Sequence, residues 1–273
     1  MSNELQGKVA FITGGARGQG RAHAVKLAGM GADIVAVDLA GPVGDFLPYP
    51  PATSDDLAET VRLVEELDRR ILAVEADVRD KDALKAAADR AVADLGSLDI
   101  VVANAGICEP ARWQDITDES WQATIDINLT GVWNTITATA QHMIAAGRGG
   151  AIVITSSYAG KKVQPMMIHY TASKHALVGL TRGFAVELGP HDIRVNSVHP
   201  GGVATPMGGG GMTDQIASST AANPKVNQMG QAFMEPAWME PEAIANAVAF
   251  LVSPAAEAIT SEHLSVDKGM QYF

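Results

Sequence analysis

Short runs of consecutive apolar, β-branched residues recur along the chain, separated by stretches of helical periodicity. Residues 8–13 (KVAFIT), 33–38 (DIVAVD), 71–76, 98–103 (LDIVVA), 151–155 (AIVIT) and 193–199 (IRVNSVH) read as strands, and Ala22, Val25, Leu27 and Ala28 mark the helix after the first. The runs do not alternate apolar with polar, so helices are expected on both faces of their sheet. That pattern is α/β, a doubly wound parallel sheet of about seven strands. No linker divides the chain, which predicts a single domain over residues 1–273. Two stretches break the alternation: residues 40–55, with Pro42, Pro48, Pro50 and Pro51, and residues 203–241, with Gly208 to Gly211 in a row. Both read as loops, and long loops usually carry function or move.

Composition narrows the class. Of 273 residues, 47% are hydrophobic and 19% charged, which suits a folded chain with a substantial core. The 31 acidic and 20 basic residues leave a net charge of −11, with no basic run to track phosphates along a duplex, so nucleic acid is excluded as a partner. The first eight residues lack a basic stretch followed by an apolar one, and no uncharged apolar run approaches about 18 residues, so neither export nor membrane spanning is expected. Cys108 stands alone, which rules out an intrachain disulfide and a cysteine-rich zinc site. The cytoplasm is the default compartment.

The candidate chemistry begins at TGGARGQG (13–20). Gly14, Gly18 and Gly20 lie between a strand and a helix, where backbone turns tightly and approaches a pyrophosphate without Cβ interference. A tight strand-to-helix turn alone would also ask for glycines. Arg17 and Gln19, between them, count with the cofactor-contacting positions. The second strand ends at Asp38, whose carboxylate suits ribose hydroxyls and repels a 2′-phosphate; Leu39 follows in place of Arg or Lys, so the cofactor read here is NAD. Tyr170 and Lys174 lie four apart in a helical segment and share a face. A phenol acting as a base near neutrality needs its pKa lowered by about three units, roughly 4 kcal/mol, which a neighbouring ammonium and a nicotinamide cation would supply. An amphipathic helix presenting both side chains to solvent is the alternative.

In order, TGGARGQG, NAG (104–106), SSYAG (156–160), YTASK (170–174) and HPGGVATP (199–206) resemble the short-chain dehydrogenase/reductase family over nearly the whole chain. The resemblance implies a Rossmann fold and oxidation or reduction between an alcohol and a carbonyl. It implies four catalytic residues: Asn128, anchoring a proton relay; Ser157, thirteen positions before the tyrosine and bonded to the substrate oxygen; Tyr170, the base; and Lys174, which also holds nicotinamide ribose hydroxyls. It further implies adenine contacts from Asp77 and Val78, a cofactor-supporting turn at Asn104, Ala105 and Gly106, and a nicotinamide grip by Pro200, Gly201, Val203 and Thr205.

The insertion GPVGDFLPYPPATSDD, together with the opening LQGKVAFITGGARGQGR, resembles the mycofactocin-associated, carveol dehydrogenase-like subgroup. That implies a loop near the adenosine end covering the dinucleotide, NAD that copurifies, and an external redox carrier such as mycofactocin reoxidising it in place. An ordinary dehydrogenase or carbonyl reductase with freely exchanging NAD(H) is the alternative; a non-catalytic nucleotide sensor would need the glycines and Asp38 but not the tyrosine–lysine pair. Residues 203–241 read as a substrate lid, with Met207, Met212, Met229, Met234 and Met239 offering adaptable contacts to an apolar, terpenoid-like alcohol. Trp113, Trp133 and Trp238 belong to pocket or core. His169, His175, His191 and His199 form no ligand-spaced pair, and no metal is assigned. Thr260-Ser261 and Val266-Asp267-Lys268-Gly269 depart from the family's Thr-Gly and Val-Asp-Gly-Gly; the final strand and a homotetramer are still expected, with an altered interface.

Overall fold

The computed structural model describes residues 3–209, 211–221 and 223–272. Seven strands, β1 (Val9–Thr13), β2 (Asp33–Asp38), β3 (Ile71–Glu75), β4 (Ile100–Ala103), β5 (Gly150–Thr155), β6 (Ile193–Pro200) and β7 (His263–Val266), form a parallel sheet in the order β3-β2-β1-β4-β5-β6-β7. β1 and β4 are buried throughout, because successive residues feed two cores. Phe11, Val35, Val101 and Ile152 face one core; Ala10, Ile12, Ile34 and Val102 face the other.

Helices α3 (Lys81–Leu95), α5 (Gly131–Ala146) and α6 (Ile168–Leu188) close the first face with Leu84, Ile136 and Leu177. The short α4 (Asp118–Ile125) adds Ala123. The second face is closed by α1 (Gly18–Ala28), α2 (Ser54–Glu65) and α8 (Pro241–Val252) through Leu27, Val64, Ile244 and Val248. Each such fully buried aliphatic side chain contributes roughly 1.5–3 kcal/mol. After β3 the chain returns to place β4 on the other side of β1, and the carboxyl ends of these two strands flank the crevice where open α/β sheets take ligands.

Most strand ends fall within one residue of the expectation, and three features depart further. Leu98 and Asp99 precede β4 instead of joining it, because the Asp99 carboxylate turns inward to accept the Val9 amide at 3.0 Å and Arg148 at 2.8 Å. The insertion ends at Thr53, not 55: the Thr53 hydroxyl accepts the Asp56 amide while Asp56 accepts the Thr53 amide, a reciprocal cap that starts α2 at Ser54. Residues 203–241 are not an irregular loop. They hold α7 (Gly211–Thr220), 3-10 turns at Pro206–Gly208 and Pro224–Gly230, and a parallel bridge between Val203 and Met239 that pins the segment's ends together. Pro241 already belongs to α8. Gly210, in the glycine run, lies outside the described residues. Among the described residues no helix is long and apolar enough to cross a membrane.

Candidate active site

The glycine turn after β1 is built by close approach. Gly14 and Gly18 take φ of +68° and +55°, and a Cβ on Gly20 would run into the Gly14 carbonyl oxygen. Asp38 braces the turn: one carboxylate oxygen accepts the Ala16 amide and the other the Ala40 amide, each at 3.0 Å. On the other side Asn104 donates to the Thr13 carbonyl at 3.1 Å, while the Thr13 hydroxyl accepts the Asn104 and Ala105 amides.

These residues line a cleft of about 400 Å³ along with Gln19, Leu39, Asp77, Val78, Gly106 and Thr205. The buried Gln19 carboxamide oxygen has no hydrogen-bond partner among the described residues. The glycine cradle, that open acceptor and the free lone pairs of Asp38 all fit a dinucleotide. Asp77 also grips the Arg79 guanidinium, at 2.9 Å from Nε to Oδ2, which spends part of its capacity within the protein. Thr205 packs against Gly18, whereas Pro200, Gly201 and Val203 build the turn behind it: Gly201 donates to Val266, and Val203 sits on the bridge to Met239. Arg17 lines the cleft and also donates to the carbonyls of Pro51 at 3.1 Å and Pro50 at 2.5 Å, so it clamps the insertion. The insertion's Gly41, Val43, Asp45 and Leu47 wall the same cleft.

Beyond Gly106 the cleft meets a cluster of reactive side chains. Tyr170 and Lys174 lie on one face of α6, with Lys174 Nζ 5.6 Å from the Tyr170 ring centroid and donating to the Thr155 carbonyl at 2.9 Å. A Cβ on Gly106 would lie 3.4 Å from that Nζ and 3.2 Å from Asn128 Oδ1. Ser157 follows β5, acts on the Tyr170 phenol from beside it, and accepts the Ala159 amide at 3.1 Å. Asn128 sits not in regular helix but in a π-helical turn, Asp126–Thr130, between α4 and α5. Its carboxamide accepts the Ile107 amide at 2.8 Å and donates to the Ile107 carbonyl at 2.9 Å, clamping the turn after Gly106.

Burial sets the charge states. It pushes Lys174 down to about 8, so the ammonium stays mostly protonated near neutrality. It pushes the Tyr170 phenol well above its usual value. Within the protein alone Tyr170 is a neutral donor, and a phenolate needs cationic help beyond Lys174.

Tyr49, Met167 and the His199 contact escape sequence reading. Tyr49 of the insertion, Cys108 and Met167 pack with Tyr170, Met207, Met212 and Ile216 in one apolar cluster. The Tyr49 hydroxyl accepts the Cys108 amide at 3.1 Å, and burial lifts the Cys108 thiol to about 12. His199 bonds the Ser157 carbonyl. Of the five methionines expected over the substrate, Met207 and Met212 reach the cluster; Met239 joins the core and Met234 is 62% exposed. Trp113 is largely exposed, and Trp133 and Trp238 are about half-exposed, Trp133 lying against Phe184 with ring centroids 5.5 Å apart.

A family model described as enoyl-(acyl carrier protein) reductase matches residues 14–271. A putative short-chain type dehydrogenase/reductase of Mycolicibacterium smegmatis is 50% identical over 98% of this chain and 99% of its own. A (-)-trans-carveol dehydrogenase of Rhodococcus erythropolis is 47% identical over 97% of this chain and 98% of its own. The crystal structure of a short-chain dehydrogenase from Mycobacterium paratuberculosis bound to NAD superposes with a TM-score of 0.97 at 53% identity, covering 99% of this chain and 100% of that one.

Proposed function

The chain belongs to the short-chain dehydrogenase/reductase family, and from that premise we propose that it oxidises an apolar, terpenoid-like secondary or primary alcohol with NAD held under its proline-rich insertion. It is an NAD-dependent oxidoreductase; Asp38, at one end of the cleft and followed by Leu39 in place of Arg or Lys, suits NAD. The observation that carries the substrate reading is the Tyr170 side chain packed with Met167, Met207, Met212 and Ile216 in one apolar cluster.

Bound NAD supplies the hydride acceptor. Tyr170 takes the alcohol proton at its phenol oxygen, and Ser157 donates to the same substrate oxygen. Lys174, buried and cationic, favours the phenolate and would hold the nicotinamide ribose hydroxyls. Asn128 acts through the backbone of Ile107, fixing the turn that borders the reacting end. Gly14, Arg17, Gly18, Gln19, Gly20, Leu39, Asp77, Val78, Asn104, Ala105 and Gly106, with the Pro200–Thr205 turn, form the remainder of the cofactor site.

The insertion supports NAD retention because it walls the cleft and is clamped by Arg17. Retained cofactor requires reoxidation in place, which assigns an external carrier such as mycofactocin. The assembly proposed is a cytoplasmic homotetramer, supported by exposed Trp133 on α5 and Val186 on α6. Denaturing the freshly purified protein and identifying the released nucleotide tests retention: NAD near one per chain is expected. Empty protein that turns over steadily on added NAD alone would establish free exchange instead.

A further inference from the structure

We infer that Tyr49 is a specificity-determining wall of the alcohol pocket, so that the insertion covering the cofactor also selects the substrate. The inference rests on the proposed alcohol oxidation and deepens it.

Most of the insertion walls the cleft, yet Tyr49 also reaches the cluster around Tyr170. Its ring joins the cluster around Tyr170, and its hydroxyl oxygen takes the Cys108 amide, one residue beyond the backbone that Asn128 clamps. The position is fixed on both sides. Arg17 holds the Pro50 and Pro51 carbonyls, and the Pro48 carbonyl lies so close to Gly211 that a Cβ there would collide with it. Pro48 and Pro50 bracket the tyrosine and restrict its backbone. Tyr49 is therefore held against the glycine turn, the first residue of α7 and the Cys108 backbone together.

Its chemistry separates it from its neighbours. Met167, Met207, Met212 and Ile216 offer soft apolar surface that re-forms around different shapes, whereas an anchored tyrosine ring does not. Accepting the Cys108 amide leaves the Tyr49 proton to donate, and among the described residues no acceptor takes it. Tyr49 thus sets a rigid limit on the hydrocarbon body of the substrate and presents one donor in an otherwise adaptable wall.

The test compares Tyr49→Ala, Tyr49→Phe and Tyr49→Trp with the parent protein, each carrying NAD, on cyclohexanol and on the bulkier carveol. Single-turnover reduction is followed for each alcohol, and binding is followed by thermal shift with cyclohexanone and carvone. Tyr49→Ala should move the carveol-to-cyclohexanol ratio toward carveol by on the order of tenfold, Tyr49→Trp should move it the other way, and Tyr49→Phe should hold it within about threefold. Rates falling by one factor for both alcohols, with the ratio unchanged in all three variants, would make Tyr49 a strut and overturn the inference while leaving the alcohol oxidation intact. A parent protein that reduces no NAD, but whose preference between the two ketones shifts in Tyr49→Ala and Tyr49→Trp, would uphold the pocket wall and remove the proposed reaction. Neither turnover nor binding in the parent would remove both.

Discussion

The imidazole of His199 donates its Nδ1 proton to the backbone carbonyl of Ser157 across 2.7 Å, joining the end of β6 to the serine beside Tyr170. A carbonyl only accepts, so the bond fixes the tautomer: Nε2 takes the Ser197 hydroxyl at 2.9 Å, and the Ser197 oxygen in turn takes His263 Nδ1 at 2.7 Å. Burial pushes the His199 pKa down to about 3, which keeps the ring neutral.

His199→Leu removes that bond without emptying the space. Its kcat should fall by about tenfold with KM for the alcohol nearly unchanged, because the serine shifts while the pocket wall stays. His199→Gln, which retains a donor, should recover much of the loss. Equal losses in both variants, or a change confined to KM, would contradict a positioning role.

Acid stability follows from a second buried ring. Burial lowers the His23 pKa from 6.5 to about 4. Between those values the unfolded chain binds a proton that the folded chain refuses, so stability present above pH 6.5 is lost as the pH falls through 4, by about 3 kcal/mol in full. His23→Gln should flatten the dependence of the urea midpoint on pH between 6.5 and 4, and an unchanged slope would refute it.

Arg17 clamps the insertion through two proline carbonyls. Arg17→Ala should speed NAD loss on dialysis on the order of tenfold, ~1.4 kcal/mol, with folding intact. Retention equal to that of the parent would show that the clamp does not govern exchange.

Gly20→Ala places a methyl on the Gly14 carbonyl oxygen, backbone that cannot yield. Copurified NAD should disappear, and calorimetry should show a lower Tm. A variant that retains a full complement of NAD would mean the turn adopts another shape.

What could be read from the chain was what depends on near neighbours. The run at 33–38 matches β2 because burial on both faces leaves no alternation to blur its ends. Tyr170 and Lys174 share a face by helical spacing, and the glycines announce their turn. Other features depend on partners far away. The helix α7 is poor in helix-forming residues, and Met212 and Ile216, one turn apart, anchor it in the cluster that includes Tyr170. Nothing local distinguishes Tyr49, whose hydrogen-bond partner lies 59 residues away. Arg17 reads as a cofactor contact beside its glycines, and its second task, holding the insertion, shows only through the prolines 33 and 34 residues on. The π-helical turn at Asn128 likewise exists to bring that carboxamide onto Ile107.

The most direct measurement mixes NAD-loaded protein with excess carveol and follows the near-ultraviolet absorbance of reduced nicotinamide through a single turnover, for the parent and for Tyr170→Phe. A burst of about one reduced nicotinamide per chain is expected in the parent, slowed in Tyr170→Phe by about 10²–10⁴ with NAD still bound. A burst of equal rate in Tyr170→Phe would contradict the assignment of Tyr170 as the group that takes the alcohol proton.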